Sequence, residues 1–201
     1  MRSLAALAAL GLAGCAYLCP SGEPPLLATA RVAQDFDTYT LRRVGLLPLT
    51  LADPAGISAD SLQEGFYAEL SRSTPFEVVR LQRSDLEQVP DSDPYRNGRY
   101  GARTVVELAS RYSLDAILFG TVTDQQFFPP QRLSVQVDLV AAETGLVLWS
   151  SAVHLDASDP RVLEGLEGWA AADGARDDWE VALLSPARFA RYAAWQVAQL
   201  L

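Results

Sequence analysis

Asp115-Ala116-Ile117-Leu118-Phe119-Gly120-Thr121-Val122-Thr123 is the strongest strand signal in the chain, an apolar run bounded by turn residues. Two further strand patterns follow it. Leu133–Ala141 places Leu133, Val135, Val137 and Leu139 on one face, and residues 146–155 place Val147, Trp149, Val153 and Leu155 on one face. Ala142-Glu143-Thr144-Gly145 joins these two as a hairpin turn, with Gly145 expected at positive φ. Upstream, Val44-Gly45-Leu46-Leu47-Pro48-Leu49 reads as a buried strand that ends near its proline. Ser58 or Asp60 caps a helix running to about Arg72, with Leu62, Phe66 and Leu70 at helical spacing. Residues 76–81 alternate like a strand, and Ser84-Asp85-Leu86 opens a turn or short helix. Thr104 caps a helix through Tyr112, and Ser185-Pro186 starts a last helix with Phe189, Ala193, Val197 and Leu200 inward and Tyr192 and Trp195 flanking. The order is β-α-β-α-β-β-β-α. Early alternation implies parallel strands with right-handed crossovers, and the closing hairpin adds antiparallel ones. The expected fold is α/β (α+β): a mixed five-stranded sheet in a two-layer or three-layer sandwich.

Composition removes several function classes. The chain has 201 residues, 16 basic and 25 acidic, for a net charge of -9, and every basic residue is arginine. So acidic a chain carries no basic footprint for nucleic acid or anionic lipid. Without lysine there is no lysine nucleophile and no P-loop. One histidine, His154, leaves little for a metal site or a His-based triad. Cys15 and Cys19 cannot build a disulfide framework. Acidic pairs such as Asp91/Asp93 and Asp177/Asp178 lack the ligand spacing of a calcium loop, so no metal is expected. No nucleophile elbow, HExxH helix or phosphate-binding glycine loop is present, and a non-catalytic protein is expected.

The N-terminus is a targeting segment. Met1-Arg2-Ser3 precedes the apolar run Leu4–Leu12, which is too short for a bilayer that needs about 20 apolar residues. Leu12-Ala13-Gly14-Cys15 resembles the lipobox of bacterial lipoproteins. That resemblance implies a signal peptide of residues 1–14, cleavage before Cys15, and a diacylglycerol and acyl chain on Cys15 as the only added groups. Leu18 stands where a small residue is required, so Cys19 is a poor alternative. Ala16 in place of aspartate points to the periplasmic face of the outer membrane. Residues 15–43 read as a lipidated, flexible tether with a relaxed span of roughly 30 Å. Within it, Val32–Leu41 is an expected extra edge strand. Cleavage removes Arg2 and leaves the mature chain one unit more acidic, so acyl chains rather than charge would hold it at a membrane.

The body of the chain has a likeness of its own. Val44–Leu49, the helix-to-strand passage Leu108–Val122 and the hairpin Val137–Trp149 together resemble the CsgG/LpoB/TolB-N-terminal group of bacterial envelope proteins. The resemblance spans residues 44–155, and the domain is expected to occupy 44–201, with an acidic loop at 156–185 and a C-terminal helix at 186–201. It implies this fold and an envelope setting, and leaves the partner open. The chain lacks the membrane-inserting hairpins of CsgG, the propeller of TolB and the long proline-rich tether of LpoB. The expected function is therefore a lipid-anchored interaction module that binds another envelope protein. A homo-oligomeric subunit of an envelope assembly or secretion apparatus is the alternative, and a cell-wall or lipid enzyme is a remote one. Trp169, Trp179, Tyr95 and Tyr100 are the expected partner-binding aromatics, carried on loops.

Overall fold

The computed structural model describes residues 24–52, 57–89, 92–94, 98–174 and 179–201. Its centre is the stretch expected to decide the fold. β5 (Ala116–Gln126) lies between β6 (Arg132–Ala141), antiparallel, and β2 (Arg43–Leu46), parallel. β4 (Glu77–Arg80) adds in parallel outside β2. On the other side β7 (Val147–Asp156) pairs antiparallel with β6, and β1 (Thr29–Val32) closes that edge. β3 (Thr50–Leu51) resumes the line of β2 beyond Pro48 and pairs with β5. The sheet has seven strands in the order β1-β7-β6-β5-β2-β4, with β3 off that path. It is a mixed, open α+β sheet, parallel first and antiparallel last, as the alternation implied.

The five-stranded expectation misses β1 and β3. Neither has a pattern to read: β1 is four residues exposed at every position, held by pairing with β7, and β3 is two residues after a proline. The edge strand expected within Val32–Leu41 forms earlier, at Thr29–Val32. Hairpin register agrees with the alternation, with Leu133 opposite Leu155 and Val135 opposite Val153. A register shift between Leu139 and Val140 turns Val147 outward, where it is 38% exposed. Gly145 takes φ of 69° in the turn.

Helices cover both faces at one end of the sheet and one face at the other. α1 (Ala59–Ser73), α4 (Pro160–Ala172) and α6 (Pro186–Ala198) pack on one side through Leu62, Phe66, Leu70, Leu166, Phe189 and Val197. Each such side chain contributes about 1.5–3 kcal/mol on burial. α2 (Arg83–Glu87) and α3 (Ala102–Tyr112) cover the other side through Leu86, Val105 and Leu108 against Leu47, Ile117 and Phe119. The opposite face of β6 and β7 stays polar, with Gln136 and His154 exposed. Ser58 accepts the Ser61 N–H at 3.1 Å, and Ser185 accepts that of Arg188 at 3.4 Å, as the expected caps do. Thr104 does not cap α3: Gly101 is the N-cap, and Thr104 is buried one turn inside.

The acidic loop expected at 156–185 contains α4 and a short α5 (Trp179–Ala182). Asp159 caps α4, Pro160 fills its first position, and Val162, Leu166 and Trp169 form its inward face. Gly165, Gly168 and the surrounding acids dilute that pattern in the sequence. Of the stretch read as a tether, residues 24–43 are docked. The buried Gln196 side chain donates to the Pro25 carbonyl at 2.9 Å and accepts the Leu27 N–H at 2.7 Å.

Candidate interaction site

β2 sits between two parallel neighbours whose crossovers leave on opposite faces, through α1 to β4 and through α2 and α3 to β5. Connections that diverge in this way open a crevice at the carboxyl ends of the strands. A cleft of about 410 Å³ lies there. Pro48 interrupts the strand, and Gln63, 2% exposed, marks where the β2–β4 ladder stops. Its Nε2 donates to the carbonyls of Leu46 at 2.9 Å and Leu81 at 2.7 Å. Beyond that point β3 continues beside β5, and among the described residues it has no strand on its other side. The cleft fills the place that a longer β4 would take.

Its walls come from distant parts of the chain. Ala59, at the start of α1, stands on one face, and Leu86 of α2 and Tyr100 stand on the other. Tyr100 is 8% exposed and meets Phe119 edge-on, ring centroids 6.0 Å apart. Burial pushes its phenol up from the ordinary value; its hydrogen bond to Thr50 and the Arg83 charge oppose that. Arg83, Glu87 and Asp93 line the cleft and are exposed. This arrangement offers a strand edge, an apolar wall and charges of both signs, which suits recognition of a polypeptide chain.

Of the residues expected to bind a partner, Tyr100 belongs to one core and Trp169 and Trp179 to the other. Cys15, Leu12, Ala13, Gly14 and Tyr95 lie outside the described residues. Tyr100 is a cleft wall on the α2–α3 side of the sheet, not an exposed loop anchor. Trp169 is 3% exposed in the opposite core, where it touches Tyr192 and carries the Arg191 guanidinium 5.7 Å from its ring centroid. Its place on the inward face of α4 removes it from the surface. Trp179 is half-buried against the same core. Trp149, read as core, is 1% exposed and donates Nε1–H to the Leu200 carbonyl at 2.9 Å.

Two polar groupings were expected in part or not at all. His154 stands exposed on β7 with Nδ1 against the Ser134 hydroxyl. Glu69, fully buried on α1, pairs with Arg72 and with Arg191 at 2.7 Å, and both arginines also reach Asp173. This cluster ties α1, α4 and α6 together. Nothing in the sequence distinguishes Glu69 from the solvated acids around it. Among the described residues no three His, Cys, Asp or Glu side chains gather as a metal site would, and no helix is long and apolar enough to cross a membrane.

No family model matches the chain, and no curated protein matches it. Solved structures do. A dodecamer of a single-residue variant of PelC from Paraburkholderia phytofirmans has a TM-score of 0.50 at 11% identity, over 86% of this chain and 97% of that one. The LpoB C-terminal domain from Salmonella enterica gives 0.44 at 16% identity, over 60% and 87% of the two chains. Lipoprotein GNA1162 from Neisseria meningitidis gives 0.44 at 19%, over 67% and 94%. At 11% identity the likeness to PelC is one of fold, and it takes in nearly the whole of that chain.

Proposed function

We propose that this chain is a lipid-anchored envelope protein whose domain works as a non-catalytic protein–protein interaction module in the periplasm, held by Cys15 at the outer membrane. The observation that carries the interaction reading is the cleft at the end of β2 and β4, which presents a strand edge with no second strand among the described residues, between an apolar wall and mixed charges. Unpaired strand edges are templates for another chain. The anchor rests on Leu12-Ala13-Gly14-Cys15. Palmitate should label the wild type and not Cys15→Ala; equal labelling overturns the anchor. A pull-down from detergent-solubilised membranes should enrich one defined envelope partner, and recovery of lipid and abundant porins alone overturns the module.

One observation favours a second reading, a homo-oligomeric envelope subunit. β1 and β4 stand at opposite edges of the sheet, each with one neighbour among the described residues, so copies can join head to tail. PelC, which shares the fold, is a dodecamer. Mass measurement in detergent separates the readings: a single large species supports the ring, and a monomer supports the module.

A further inference from the structure

We infer that the cleft beside β3 takes an extended segment of a partner protein as an added β-strand, in line with β4; this rests on the interaction reading above. The argument starts from what is missing beside β3. β2 has β4 on one side and β5 on the other, up to Leu46 and Arg80. There Gln63 occupies the last two carbonyls, α2 turns away at Arg83, and the second neighbour ends. Among the described strands β3 has one neighbour, β5, and the cleft lined by residues 48–51 lies beside it. Neighbouring strands lie about 4.8 Å apart, so a slot left by an absent strand has the width of one strand.

The walls fit the same occupant. Side chains of a strand alternate between faces. A strand in this slot points one set toward Leu86 and Tyr100 and the other toward Ala59. The first set meets the Leu86–Tyr100 wall, while the second meets Ala59 at the start of α1, on the side where Leu49 and Leu51 pack. Arg83, Glu87 and Asp93 offer partners for charges of either sign, so main-chain hydrogen bonds supply most of the binding and the Leu86–Tyr100 wall selects an apolar side chain.

The test uses the full-length lipidated chain in detergent. Displayed linear peptides are selected against it and the strongest binder is synthesised, with an analogue N-methylated at alternate residues. Ala59→Trp fills the slot from its small side, and Ser92→Trp fills it from the loop side should Ala59→Trp fail to melt as the wild type does. N-methylation and the filled slot should each weaken binding by about tenfold or more. Bound peptide should slow amide hydrogen exchange at residues 49–51. Failure to select any peptide, or binding that survives both changes, overturns strand addition. If strand addition fails while the pull-down still yields a defined partner, the module reading stands on another surface. If palmitate labelling fails while the peptide binds as stated, only the anchor falls.

Discussion

Gly165 shows how one missing methyl group sets a tertiary contact. It lies mid-helix in α4, where alanine would be favoured by about 1 kcal/mol on propensity. Yet a Cβ there would overlap the hydroxyl of Tyr192, which is fully buried and hydrogen-bonded to Gln196 at 2.9 Å. Gly165→Ala should therefore destabilise the domain by about 1–2 kcal/mol in denaturant unfolding, since overpacking outweighs propensity. In the Tyr192→Phe background, which lacks that hydroxyl, the same substitution should cost less. Equal costs in both backgrounds would separate the glycine from the tyrosine. The phenol itself predicts a pH effect. Burial pushes its pKa up to about 12 from an ordinary 10, against the opposing hydrogen bond to Gln196. Below pH 10 the phenol is neutral folded and unfolded. As pH rises from 10 towards 12 the unfolded chain ionises first, so stability is lost across that window. Melting temperature should fall there more steeply for wild type than for Tyr192→Phe.

Helices α1, α4 and α6 are joined by a charge cluster as well as by apolar packing. Glu69 is fully buried, so removing a partner leaves a carboxylate inside the protein with less compensation. Arg191→Leu takes away the 2.7 Å pair and a contact to Asp173, and should cost about 2 kcal/mol or more. Arg161 pairs with its own helix cap, Asp159, with its side chain 75% exposed, and Arg161→Ala should leave the unfolding midpoint unchanged. The contrast between the two variants is the measurement. The cluster also marks where reading by pattern stops. β5, β6, β7, α1 and α6 were legible because their apolar residues recur at period two or at helical spacing. β1 was not, because pairing with β7 rather than its own composition holds it. α4 was not, because the glycines that admit Tyr192 and Pro24 break its pattern. The cleft was illegible for a related reason. Pro48, Ala59, Leu86 and Tyr100 meet only after two crossovers, and an absent strand leaves no residues to read.

At the scale of the whole molecule the N-terminal arm is a structural part of the domain, and that changes how far an anchor at Cys15 can let it stray. Pro24 packs on Gly168 and Pro25 on Gly165, and Gln196, fully buried, holds the arm through the Pro25 carbonyl and the Leu27 N–H. A chain begun at Thr29 keeps every strand but strips Gln196 of its three arm contacts, the Pro25 carbonyl and the Leu27 and Ala28 N–H groups. It should unfold about 2–3 kcal/mol more easily than one begun at Pro24, because a buried amide keeps only Tyr192 as a partner. With Cys15 acylated as proposed, only residues 16–23 would separate it from the docked arm. A flexible chain of that length has a relaxed span of about 15 Å, roughly half that expected when the tether ran to Arg43. A flexible insert between Glu23 and Pro24 should leave the unfolding midpoint unchanged. The same insert should lower energy transfer from a dye on the domain to an acceptor in the bilayer. A midpoint that falls with the insert would mean that the chain before Pro24 also bears on the fold. Energy transfer unchanged by the insert would mean that the domain is held at the membrane by a surface of its own, and the short tether would no longer set its distance.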